Sequence, residues 1–316
     1  MVALSGGSAF AQNPPQIPPP SGATQNKPYT LKKDVDMVRL PVTILDKNGN
    51  FVPGLSEDNF RVLENKAPQK ISEFTHADIP ISVGLVIDNS GSMKSKRARV
   101  NAAALTFVQT SNPQDEMFVV NFNDEYYLDM DEDFTNDLKV LKAALERIDS
   151  RGGTALYDAL LGSMNHLKKG TREKRVLLVV TDGEDEDSTH NLSYIVQKLE
   201  QSNVVIYAVG LFTKDDDSPS EIRQGKRALL ALTQASGGEA FFPKTVDDVD
   251  SICTRIAQDI RSQYMVGYYP SNEVKDGTFR AVKVEVTGVR GASKLSVRTR
   301  PGYFAPTVTP QPVSGN

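Results

Sequence analysis

Five oxygen-bearing side chains fall in a pattern that could hold a metal ion. Asp88, Ser90 and Ser92 form an Asp-x-Ser-x-Ser triplet inside Gly84-Leu85-Val86-Ile87-Asp88-Asn89-Ser90-Gly91-Ser92-Met93, Thr154 closes Gly152-Gly153-Thr154, and Asp182 is central in Thr181-Asp182-Gly183. Two carboxylates and three hydroxyls are hard donors, suited to an octahedral Mg²⁺ or Mn²⁺ that keeps part of its water. Metals that prefer thiolate or imidazole are disfavoured by the same set. A glycine in each segment lets the backbone turn sharply enough for the donors to reach a common point. Taken alone, such a triplet reads equally well as capping serines and a turn aspartate. Position decides between the two. The triplet comes directly off an apolar run and before a helical pattern, where open α/β sheets place their binding crevices, and the third segment follows the apolar run 176–180.

Other chemistry-bearing residues carry less. Asp129, Asp131 and Asp133 imitate the opening of a calcium loop, but Phe134 stands where glycine is needed and Val140 where glutamate is needed, so a solvated acidic loop is expected. His76, His166 and His190 are the only histidines, and none has a His-Glu-x-x-His spacing. No Gly-x-Ser-x-Gly elbow or Walker loop accompanies Ser90, so enzymatic chemistry is not expected. Cys253, the single cysteine, lies in the apolar-periodic series Val249, Ile252, Cys253, Ile256, Ile260 and reads as a buried helix-face residue. The run Glu184-Asp185-Glu186-Asp187 has two readings: a hydrated loop at a helix N-terminus, or an acidic rim that selects partners. Lys94, Lys96, Arg97 and Arg99 give the following helix a basic start, which would divide the mouth by charge.

The elements that must position these residues follow from periodicity. Apolar runs at 83–87, 117–122, 176–180, 204–209 and 240–242 predict strands, and the segments 94–110, 137–148, 155–168, 191–201, 222–235 and 246–260 predict helices between them. That alternation predicts an α/β fold with a doubly wound, mostly parallel, Rossmann-like sheet over residues 80–262. On either side the texture is β alone: 37–45, 60–63 and 71–74 before it, and 264–269, 279–286 and 294–299 after it. Forty residues make a poor core by themselves, so 35–79 and 263–304 are expected to pack together as a small β-sandwich with the α/β domain inserted between them. Residues 305–316 read as a disordered tail, and 1–34 as a signal-like segment followed by a Pro-rich linker.

Composition bounds the function. With 36 Lys and Arg against 40 Asp and Glu, the net charge of −4 offers no basic field for nucleic acid. No stretch approaches the roughly 18 consecutive apolar residues that cross a bilayer. Ala9-Phe10-Ala11-Gln12 resembles a signal-peptidase site after a short apolar run, which points to an exported protein, with the cytoplasm as the alternative.

The three oxygen-bearing segments, in this order, resemble the metal-ion-dependent adhesion site of von Willebrand factor A domains. Asp88, Ser90 and Ser92 match its first motif, and Thr154 and Asp182 its other two loops. The likeness covers about residues 80–261. More narrowly, residues 35–304 resemble the VWFA-related proteins common in Acidobacteria. The resemblance implies that the serines and threonine contact the ion directly while the aspartates act partly through water, leaving the ion charge enough to take a carboxylate from a partner. The function so implied is a non-enzymatic, cation-dependent protein-binding module, adhesive or scaffolding, whose ligand presents an acidic residue. Two alternatives are a metal-bearing accessory subunit of an AAA+ ATPase or other enzyme complex, and a structural envelope protein whose metal only stabilises it.

Overall fold

A computed structural model describes residues 37–147, 150–183, 185–212, 218–289 and 291–307. The signal-like segment, the linker, Glu184 and residues 308–316 lie outside them.

The central sheet has six strands: β5 (Ile81–Asp88), β6 (Glu116–Phe122), β7 (Tyr126–Leu128), β8 (Lys174–Thr181), β9 (Val204–Gly210) and β10 (Ala240–Phe241). Their order is β10-β9-β8-β5-β6-β7, parallel throughout except for the β6–β7 pair. All eight residues of β5 are buried, as a strand covered on both faces requires. The covering helices are α1 (Arg97–Thr110), α2 (Leu138–Leu145), α3 (Leu156–His166), α4 (Leu192–Glu200), α5 (Pro219–Ser236) and α6 (Val249–Ser262). They form two layers: α1 packs between α6 and α2, and α4 between α3 and α5. Cys253 is buried in the core these layers enclose, and burial pushes its thiol up to about 12.

Two four-stranded sheets flank this body. One joins β13 (Ser296–Arg298), β1 (Val38–Leu45), β11 (Tyr264–Tyr268) and β4 (Ile71–Thr75) in that order. The other joins β14 (Gly302–Phe304), β12 (Phe279–Val286), β2 (Phe60–Glu64) and β3 (Ala67–Gln69). Strands from before and after the α/β body thus alternate in the first sheet and meet at the β12–β2 pair in the second, and Leu40, Val42, Val62, Tyr264, Val266 and Val284 share one core. The expected disorder after Phe304 begins too early: Ala305 is buried, its N–H donates to the Thr278 carbonyl, and Thr307 bridges to Asp276. A backbone donor on a sheet edge is most stable when it has a partner, and Thr278 supplies it.

Candidate metal centre

β5 ends at Asp88, β8 at Thr181 and the Gly-Gly-Thr loop immediately before α3, so all five sequence-predicted residues stand at the carboxyl edge of the parallel strands or the loop facing it. Backbone hydrogen bonds stitch the three loops together. Gly91 N–H donates to the Gly152 carbonyl at 3.1 Å, and Glu186 and Asp187 N–H both donate to the Thr154 carbonyl. Gly152 has φ +71°, a left-handed conformation that favours glycine, and a Cβ there would press on the Asp124 carboxylate.

Side chains complete the arrangement. Ser90 and Ser92 place their Oγ atoms 3.1 Å apart, and Ser92 Oγ donates to Asp182 Oδ1 at 2.8 Å. Asp88 Oδ1 accepts from the Ser90 N–H at 2.8 Å and Oδ2 from the Thr181 hydroxyl at 2.5 Å. Burial, and then the neighbouring Asp182 carboxylate, push Asp88 up to about 6 against those two hydrogen bonds. Thr154 is buried beside Gly183, where a Cβ would stand 3.2 Å from its Oγ1. The glycine leaves that hydroxyl room in the mouth. Ser92 and Gly91 are solvent-exposed, whereas Asp88, Ser90, Thr154 and Asp182 are buried, so one donor lies at the surface above four set below it.

The donor set passes a geometric test. Two ligands at about 2.1 Å from an octahedral ion and at right angles are separated by about 3.0 Å, and the Ser90–Ser92 and Ser92–Asp182 spacings match that edge. Among the described residues no cluster of three or more His, Cys, Asp or Glu is placed to hold a metal. A cation here therefore depends on hydroxyls as much as on carboxylates.

Two expectations about the surrounding charge change. Lys96 and Arg97 turn inward instead of rimming the mouth: Lys96 is 5% exposed with its Nζ 2.6 Å from Asp182 Oδ2, and Arg97 donates to the Asp88 carbonyl, Asn121 Oδ1 and the Leu145 carbonyl. Only Lys94 and Arg99 of the four basic residues are exposed, and Arg99 pairs with Asp247 at 3.0 Å. Burial lowers Arg97 to about 10, opposed by Asp88 and Asp129. The acidic run also has internal work. Asp187 Oδ2 accepts from the Thr154 N–H at 3.0 Å, and Asp185 Oδ1 from the Tyr157 N–H at 2.9 Å, so both carboxylates serve the start of α3, where unpaired N–H groups favour anions. Asp124, which nothing in the sequence pattern singled out, accepts from the Gly153 N–H and braces the same loop.

The chain is similar to several known proteins. Residues 83–184 match the family model of the von Willebrand factor type A domain. An uncharacterised protein of Synechocystis is 30% identical over 111 residues, which is 34% of this chain and 26% of that protein, so the likeness spans about a quarter of the relative's length. Among solved structures, the vWF domain of the type V pilus tip protein Mfa5 from Porphyromonas gingivalis is similar at 14% identity over 58% of this chain and 96% of that one, TM-score 0.49. Proximal thread matrix protein 1 of the mussel byssus, with a zinc-occupied MIDAS motif, is similar at 16% identity over 62% of this chain and 49% of that one, TM-score 0.48. Residues 83–184, which take in most of β5 and all of β6 through β8 of the parallel sheet, are thus similar to von Willebrand factor type A domains.

Proposed function

We propose that this chain is a non-enzymatic, divalent-cation-dependent protein-binding module, exported to the cell envelope or exterior. The observation that carries the reading is the run of oxygens from Ser90 through Ser92 to Asp182 at octahedral-edge spacing, on the crevice side of a parallel sheet. Ser90, Ser92 and Thr154 would hold Mg²⁺ or Mn²⁺ through their hydroxyls, with Asp88 and Asp182 supplying the negative charge. The bound ion supplies a positive centre that a partner carboxylate fills better than water. Asp88 is kept oriented by the Ser90 N–H and Thr181, and Asp187 and Asp124 hold the Thr154 loop against the mouth. The two flanking sheets act as a β-sandwich base for the α/β domain. Among the described residues no helix is long and apolar enough to cross a membrane.

Calorimetry with Mg²⁺ and with Mn²⁺ tests the ion, and a column bearing a Lys- and Asp-containing peptide tests the partner chemistry. The expected result is a binding heat that Asp88→Ala and Asp182→Ala both lose, and retention on the peptide that EDTA or an Asn-for-Asp peptide abolishes. Binding heat unchanged in both variants, or retention indifferent to EDTA, overturns the proposal. An ion that raises thermal stability without supporting retention assigns the metal a purely structural role.

A further inference from the structure

We infer that Lys96 is a built-in counter-ion of the metal centre, competing with the divalent cation for Asp182 and so setting how tightly the cation is held. The inference rests on the reading of this mouth as a metal site and concerns its regulation by the chain itself.

Lys96 follows the single-turn segment Gly91–Ser95, and its backbone N–H closes that turn on the Met93 carbonyl at 2.9 Å. This turn carries the side chain back beneath the loop that holds Ser90 and Ser92. Its side chain is 6% exposed and that of Asp182 1%, so the 2.6 Å contact between Nζ and Oδ2 is shielded from solvent. Screening by water and salt is therefore weak, and Asp182 has a compensating charge at contact. The other oxygen of Asp182 is taken by Ser92 Oγ. Arg97, also buried, lies behind Asp88 on that residue's backbone carbonyl. The two buried carboxylates of the mouth thus have two buried cations beside them.

A cation entering such a site meets a carboxylate that already has a positive partner. It must take Asp182 Oδ2 from the ammonium, or leave that oxygen with Lys96 and engage Asp182 through Oδ1 or water. Either way part of the attraction is cancelled. A positive charge held at contact distance acts against any other cation competing for that oxygen. The ammonium also keeps Asp182 compensated when no metal is bound, so the loop need not collapse or open between the two states.

The test is Mg²⁺ and Mn²⁺ calorimetry on wild type, Lys96→Met, Lys96→Gln and Lys96→Arg, with the thermal midpoint of each protein measured in EDTA. Methionine keeps the length of the aliphatic stem and removes the charge; glutamine removes the charge but keeps an N–H donor, and serves should methionine misfold. The expected result is Mg²⁺ affinity raised about tenfold or more in the Met and Gln variants, left near wild type in Lys96→Arg, and a lower midpoint in EDTA for the two uncharged variants. A larger gain in midpoint on adding Mg²⁺ should accompany it. Wild type that binds Mg²⁺ and uncharged variants that bind it equally or more weakly would overturn the inference alone, making Lys96 a structural prop. No heat in any of the four proteins overturns both the inference and the metal reading. Heat in the uncharged variants only would support the inference in its strongest form.

Discussion

Asp182 and Asp259 are buried to the same degree, each at 1% exposure, and each meets a basic side chain. Their surroundings differ in one respect. Asp259, on α6, is closed on every side by protein donors: Thr43 Oγ1 at 2.8 Å on Oδ1, and the Tyr207 hydroxyl at 2.9 Å with the Arg298 guanidinium on Oδ2. Gln263 Nε2 then ties Thr43 to Tyr207 at 3.1 Å each. Asp182 has one hydroxyl and one ammonium, and the hydroxyl it holds, Ser92, is exposed and has a further oxygen neighbour in Ser90. A buried carboxylate surrounded by donors locks two elements together; one surrounded partly by other acceptors is prepared for a cation. Burial alone does not separate the two roles.

The largest effect is expected from Asp259→Ala. It leaves Arg298 with Glu239 as its carboxylate partner and strips the buried Thr43 and Tyr207 hydroxyls of their acceptor, and should cost about 3–5 kcal/mol in urea unfolding, with Mg²⁺ binding heat intact wherever the protein is folded. Loss of that heat in a folded variant would mean the two aspartates are not independent. Ser92→Ala makes the converse demand. It should weaken Mg²⁺ at least tenfold, about 1.4 kcal/mol, while changing stability by no more than about 0.5 kcal/mol, the range of ordinary surface substitutions. Between these lies Asp187→Ala. Removing the acceptor of the Thr154 N–H should cost about 1 kcal/mol of stability, as loss of a helix-capping side chain does, and loosen Mg²⁺ less than Ser92→Ala does.

A third buried carboxyl extends the comparison to pH. Asp115 accepts only backbone N–H groups, from Ile81 and Asn112, and burial pushes it up to about 6 from an ordinary value near 3.8. The folded protein therefore holds this proton more tightly than the unfolded chain. Between about pH 4 and pH 6 the fold loses stability from this group as pH rises, and above that window the loss is complete. The urea midpoint of wild type should accordingly fall relative to Asp115→Asn across pH 4 to 6 and run parallel to it at pH 7. A difference constant over that range would show that Asp115 is ionised throughout.

The gathering of Asp88, Ser90, Ser92 and Asp182 was legible because these residues are local to strand ends that are legible themselves. The run 83–87 announces β5, and Asp88, Ser90 and Ser92 follow at a spacing that only a turning loop satisfies. Helices were legible where apolar periodicity was regular: the expected 155–168, 191–201 and 222–235 correspond to α3, α4 and α5. The expected 246–260 begins instead with a single turn at Val246–Asp248, because Thr245 and Asp248 cap each other there before α6 starts. β7 gave no signal, since three consecutive exposed residues, Tyr126, Tyr127 and Leu128, offer no alternation to read. Lys96 was legible only as a charge. A lysine at the start of a helix ordinarily reads as solvated, and the partner that draws it inward lies 86 positions away. Separations of 29 and 33 positions likewise hide Asp124 from Gly153 and Asp187 from Thr154.

One register detail has a mechanical meaning. β4 and β11 are antiparallel neighbours, and Thr75 stands directly opposite Met265. The chain leaves the flanking sheets and returns to them across a single rung of a ladder, so everything from residue 76 to residue 264 is, to those sheets, one very long hairpin connection. The lobe bearing Asp88 and Asp182 is tied to those sheets a second time by Thr43 and Arg298, which meet Asp259 of α6. A pull on the lobe by whatever is bound there would thus load the Thr75–Met265 rung and, through Asp259, the strands β1 and β13.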